Sequence, residues 1–133
     1  MKIENIKFKA KQLNSGKWFE GDLVRIGNRV CIGGDHIKDG ITDVDPYTVC
    51  QFTGARDRYG TSIYEHDLLR SEKTDSTYEV VWNQGISSFS LINTEVPVLY
   101  PTNTMGRMLH NRRLKVIGNK FDKEKWYGKT NNN

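Results

Sequence analysis

The chain has 133 residues, with 36% hydrophobic and 11% aromatic side chains. That supplies an ordered core for one domain or two small halves and argues against a disordered chain. No apolar run approaches the ~20 residues of a membrane helix, and Met1-Lys2-Ile3-Glu4 lacks the apolar centre of a signal peptide, so a cytosolic location is expected.

The net charge of +4 is unevenly spread: residues 1–30 carry +4, residues 31–70 carry −3 and residues 71–133 carry +3. Basic ends and an acidic middle suit either a nucleic acid or a second copy of the chain, basic patch to acidic patch.

Ile3 to Ala10 alternates, with Ile6 and Phe8 on one face and Lys7 and Lys9 on the other. This is the period of a strand with one side in water. Asn14-Ser15-Gly16 is a turn signal, and Trp18 to Ile26 reads as the return strand, broken or bulged near Gly21. Gly27-Asn28 turns the chain into a short strand at Arg29 to Ile32. Gly33 to Asp43, rich in Gly and Asp, reads as a loop, and Thr48 to Thr53 as the next strand. The two cysteines, Cys31 and Cys50, read as buried thiols of a reducing compartment. A disulfide between them would need Cα atoms within about 7 Å.

Gln51 to Arg70 is the stretch around which the rest is organised. It reads strand, turn, strand: Gly54 and Gly60 bracket the charged turn Arg56-Asp57-Arg58, and Ile63, Tyr64, Leu68 and Leu69 suit a pleated sheet. Phe19-Glu20-Gly21-Asp22-Leu23-Val24-Arg25 echoes Tyr64-Glu65-His66-Asp67-Leu68-Leu69-Arg70. The echo is open to two readings: a duplicated β-roll unit, or two hairpins reusing one pattern.

Tyr78 to Trp82 and Ser88 to Ile92, joined by Asn83-Gln84-Gly85, form the clearest hairpin. Tyr78, Val80 and Trp82 are expected on one face. Val96 to Pro101 is extended, because each proline biases its predecessor away from helix. Thr104 to Leu114 is the helical candidate: Met105, Met108 and Leu109 have the spacing, Thr104 is placed to cap, and Gly106 weakens it by roughly 1 kcal/mol. Lys115 to Asn119 is the last strand. Lys120 to Asn133 follows, its last residues expected to fray, with Trp126 and Tyr127 as candidate anchors on a neighbour.

The central stretch resembles the YopX family of phage and prophage proteins. Gln51, Phe52, Thr53, Gly54, Asp57, Gly60, Ile63, Tyr64, Glu65, Asp67, Leu68 and Leu69 match its signature. So do Ile6-Lys7-Phe8-Lys9-Ala10, Asp45-Pro46-Tyr47-Thr48-Val49 and Val116-Ile117-Gly118-Asn119. Two positions depart. His66 stands where the family has Gly, so the turn there is not expected to need positive φ. Ala55 replaces a larger apolar residue. The resemblance implies a mainly β fold with an SH3-like C-terminal half, and it brings no mechanism.

Chemistry-bearing patterns are sparse. His36, His66 and His110 are far apart and show no metal-ligand spacing. Asp35, Asp39, Asp43 and Asp45 do not follow a calcium-loop pattern, so no metal and no cofactor are expected. No nucleophile elbow or phosphate-cradling loop is present. Glu65, His66 and Asp67 admit a general acid–base reading, but they read better as a turn in which Asp accepts backbone N–H bonds. The most suggestive cluster is basic: Arg107, Arg112, Arg113 and Lys115, with His110 among them.

The expected architecture is mainly β with little helix: an N-terminal β-hairpin or roll (1–50) packed on an SH3-like β-barrel or roll (51–121), then a tail (122–133). The expected role is a non-enzymatic accessory protein of a phage or prophage, in the cytoplasm of a bacterial host. It would act through a protein partner or a second copy of itself, with no small-molecule substrate and no membrane. The alternative is a small nucleic-acid-binding module using Arg107, Arg112, Arg113 and Lys115.

Overall fold

The computed structural model describes residues 1–100 and 103–122. Strand accounts for 48% of the described residues, in antiparallel sheets, and helix for 17%, so the fold is mainly β. It divides into two compact units, Met1–Gly54 and a second that opens at Ala55.

In the first unit, β1 (Phe8–Lys11), β2 (Trp18–Ile26), β3 (Arg29–Gly33), β4 (Ile41–Asp43) and β5 (Cys50–Arg56) form a sheet in the order β4-β3-β2-β1-β5. Ala10, Ile32, Ile37 and Val44 form its core, with Phe8, Phe19, Leu23, Val30 and Val49 packed against them. The first strand begins later than its alternation suggests. Ile3–Asn5 is a 3-10 turn, closed by bonds from Asn5 N–H to the Lys2 carbonyl and from Ile6 N–H to the Ile3 carbonyl. Nor does the lysine face simply meet water. Lys7 Nζ lies 4.6 Å from the Phe52 ring centroid, Lys9 Nζ lies 4.8 Å from that of Trp18, and Lys11 is buried. Aliphatic lysine stems cover aromatic surface while the ammonium groups meet the ring faces.

The Gly33 to Asp43 stretch also holds more structure than a loop. Asp39 (φ 64°) and Gly40 (φ 76°) turn the chain so that β4 pairs with β3, Cys31 opposite Asp43. Cys31 and Cys50 are both buried free thiols. Burial, and then a hydrogen bond to Asp43, push the Cys31 thiol above its ordinary value.

Gly21 lies inside β2 without positive φ, between Phe8 on β1 and the β3 strand. A Cβ there would collide with the Gly33 carbonyl oxygen and reach 3.1 Å from Ile32 Cγ2. Backbone cannot yield as a flexible side chain does, so Gly21→Ala should lower the urea unfolding free energy by about 2 kcal/mol. An unchanged midpoint would refute this close approach.

The second unit contains the end of β5, β6 (Ser62–Tyr64), β7 (Asp67–Ser71), β8 (Thr77–Asn83), β9 (Ser88–Asn93), α1 (Met105–Arg112) and β10 (Leu114–Asn119). Four strands form a sheet in the order β10-β7-β8-β9. Ile63, Leu69, Tyr78, Val80, Leu91, Met105, Met108 and Leu114 form its core. The β8–β9 hairpin forms with Val80 opposite Leu91 and Trp82 opposite Phe89. Its register runs unbroken to the tip, where burial changes: Trp82 is exposed and packs edge-on against Phe89, centroids 5.1 Å apart, while Asn83 is buried and accepts from Gly85 N–H. The two echoing segments are not equivalent. The first lies wholly within β2, and the second contains the tight turn between β6 and β7.

Candidate anion-binding face

Asp57 organises the turn after β5. It is buried, its Oδ1 accepts the Tyr59 and Thr61 N–H groups at 2.9 Å each, and its Oδ2 accepts Val116 N–H of β10 at 3.1 Å. Burial pushes its pKa up. The bonds from Val116, Thr61 and Tyr59 outweigh that push, and the carboxyl is held below its ordinary value.

The flanking arginines are thereby fixed. Arg56 donates to Ser62 Oγ at 2.7 Å. Arg58 lies 5.5 Å from the Tyr59 ring centroid, with one guanidinium nitrogen 3.9 Å from Glu72. The Tyr59 hydroxyl donates to the same Glu72 carboxylate, and that bond, aided by burial, raises its pKa.

Helix α1 faces them. Met105 and Met108 are buried in the core, while Gly106, Arg107, His110 and Asn111 are exposed, as the 3.6-residue period requires. Thr104 precedes the helix without making a side-chain cap, contrary to the expectation from its residue type. The helix ends at Arg113, which is left-handed (φ 49°). The end of β7 and the loop after it hold that end: Ser71 Oγ donates to the Arg112 carbonyl, Glu72 N–H to the Arg113 carbonyl and Lys73 Nζ to the Asn111 carbonyl. These donors satisfy carbonyls that a helix end leaves open.

The result is a pocket of about 440 Å3 lined by Arg56, Arg58, His110 and Arg113, with Leu109 and Leu114 as apolar lining. The side chains of His110 and Arg113 make no hydrogen bond or ion pair among the described residues. The four basic residues read from the sequence do not converge. Arg113 enters this pocket, whereas Arg107 and Arg112 line a second one of about 310 Å3 with Asn103, Met108 and Asn111. Arg112 also donates to the Tyr78 hydroxyl at 3.2 Å, and Lys115 Nζ lies 5.4 Å from the Tyr59 ring centroid. Sequence reasoning missed Arg56 and Arg58 as partners of Arg113. The available signal was their position on either side of an aspartate able to fix a turn.

These elements carry the motifs noted in the sequence, and a family model described as YopX protein matches residues 7–125. The chain belongs to the YopX family. No curated protein matches it.

In this YopX chain the Glu65-His66-Asp67 segment is a turn. His66 does adopt positive φ, 68°, despite replacing glycine. A neighbouring network holds it there: its N–H donates to the Val80 carbonyl at 2.7 Å, its carbonyl accepts from Lys120 N–H, and its ring lies 3.0 Å from Glu79 Oε2 and edge-on to Phe121. Asp67 does not face solvent. It is 1% exposed, accepting from Tyr64 N–H at 2.8 Å and Asn119 Nδ2 at 2.9 Å.

No group of three or more His, Cys, Asp or Glu side chains able to hold a metal occurs among the described residues. No helix among them is long and apolar enough to cross a membrane. Trp126 and Tyr127, read as anchors, lie outside the described residues. The second feature of this unit is apolar: Val96, Val98, Leu99 and Tyr100 are 61%, 43%, 40% and 54% exposed in succession after β9.

Proposed function

We propose that this YopX-family chain is a non-enzymatic accessory protein of a phage or prophage, working in the bacterial cytoplasm through protein–protein contact with a second copy of itself. The observation that carries this reading is the exposed run Val96, Val98, Leu99 and Tyr100. Scattered exposed apolar residues are ordinary, but a contiguous set marks an interaction surface. The alternation of basic and acidic regions along the sequence supports a self-complementary partner.

Light scattering across a concentration series tests the reading. The parent protein should show a mass above the monomer, and Val98→Asp with Leu99→Asp should return it to monomer mass with an unchanged circular dichroism spectrum. A parent that stays monomeric throughout would sink self-association.

Nucleic-acid binding is the second reading, favoured by the arginine-lined pocket. Guanidinium groups suit phosphate because their planar donor forks match its oxygens.

A further inference from the structure

We infer that the pocket between the Arg56–Arg58 turn and the end of α1 binds a phosphate monoester, the group carried by a nucleotide or by the end of a nucleic-acid strand. Three features of the pocket lead there. Its lining supplies guanidinium groups from two separated segments, so that Arg56 and Arg58 face Arg113 and His110 across one cavity. Arg56 is oriented in advance by the Ser62 hydroxyl and Arg58 by Tyr59 and Glu72, so binding orders less side chain. Arg113 is projected from a left-handed residue whose carbonyl is bonded, and its guanidinium is not engaged by another described side chain.

The acidic residue in the lining does not cancel this. Both Asp57 oxygens accept backbone N–H groups, which direct them into the turn. Gly106 adds space, since a Cβ there would meet nothing within 4 Å. At about 440 Å3, the cavity falls within the range of small-molecule sites, and Leu109 and Leu114 give an apolar wall for the remainder of the ligand. A terminal phosphate can enter such a concavity. An internal phosphodiester, flanked by chain on both sides, is held to the rim.

The test uses the full chain and four probes: inorganic phosphate, adenosine monophosphate, and one short single-stranded DNA with either a 5′-phosphate or a 5′-hydroxyl. Calorimetry or anisotropy should show the 5′-phosphorylated strand binding at least roughly tenfold more tightly than the hydroxyl strand. Arg113→Asn, chosen because Asn tolerates the left-handed conformation, should remove that preference, with thermal melting confirming the fold. Arg107→Gln in the other pocket should retain it. Saturable binding of the monophosphate with no strand preference would identify a free phosphorylated metabolite as the source of the group. Preference for the phosphorylated strand over the monophosphate would identify a nucleic-acid end.

Equal, salt-sensitive binding of both strands without saturable binding of the monophosphate would overturn the inference while keeping the broader nucleic-acid reading. Absence of binding by all four probes, or a preference that survives Arg113→Asn, would also overturn it. The self-association reading depends on residues 96–100 and is untouched by any of these outcomes.

Discussion

Replacing Asp57 with Ala should destabilise the protein by about 4 kcal/mol, one of the two largest losses expected from a single side chain. The substitution removes an acceptor serving Tyr59, Thr61 and Val116 N–H groups at once. Each donor stranded without a partner in a buried place costs about 1–3 kcal/mol. The Val116 bond also ties the turn to β10, so its loss loosens the wall that sets Arg56 and Arg58 opposite Arg113. Urea denaturation measures the effect. A loss under about 1 kcal/mol would show that water replaces the carboxylate.

The same carboxylate gives the protein an acid-sensitive contribution. Its folded pKa is depressed, because the hydrogen bonds outweigh the opposing effect of burial. The stabilisation is therefore fully present above the unfolded value of about 3.9 and is lost as pH falls through the folded value. Asp57→Asn should be less stable than the parent at neutral pH, and the difference should shrink as both are taken below about pH 4. A difference that holds constant into acid would mean that the charge contributes nothing to these bonds.

Much of the fold is legible because it is local. Tyr78 and Val80 alternate with Glu79 and Val81, and β8 pairs with β9 as that alternation requires. The helix over Met105–Arg112 follows from Met105, Met108 and Leu109, even with no cap from Thr104. The misreadings arise where tertiary contacts override residue preference. His66 takes positive φ because bonds to Val80 and Lys120 fix its backbone on both sides. The basic site was half legible. Arg113 is visible in the run near the last strand. Its partners Arg56 and Arg58 precede it by more than fifty residues and are brought to it by a turn whose aspartate reaches Val116. No periodicity encodes such a contact.

Asp67→Ala should cost about 3 kcal/mol, and its partner Asn119 makes the effect separable from simple loss of volume. The two residues come from different stretches of the family signature, the Ile63 to Leu69 segment and the closing Val116-Ile117-Gly118-Asn119, and both are buried. Tyr64 N–H donates to Asp67 Oδ2, Asn119 Nδ2 donates to Asp67 Oδ1, and Phe121 N–H donates to Asn119 Oδ1. Asp67→Asn alone sets one amide NH2 against another. Turning the Asn119 amide to relieve that conflict would abandon Phe121 N–H. Asn119→Asp alone sets carboxylate against carboxylate in a buried place, which is costlier. The double exchange, Asp67→Asn with Asn119→Asp, keeps all three bonds: Asn at 67 accepts from Tyr64 and donates to Asp at 119, which still accepts from Phe121. The double variant should therefore recover most of the stability lost by either single change, with a coupling of about 2 kcal/mol in a denaturation cycle. Additive losses would show that the two side chains act separately, and that the turn at His66 is not held to the end of β10 through this pair.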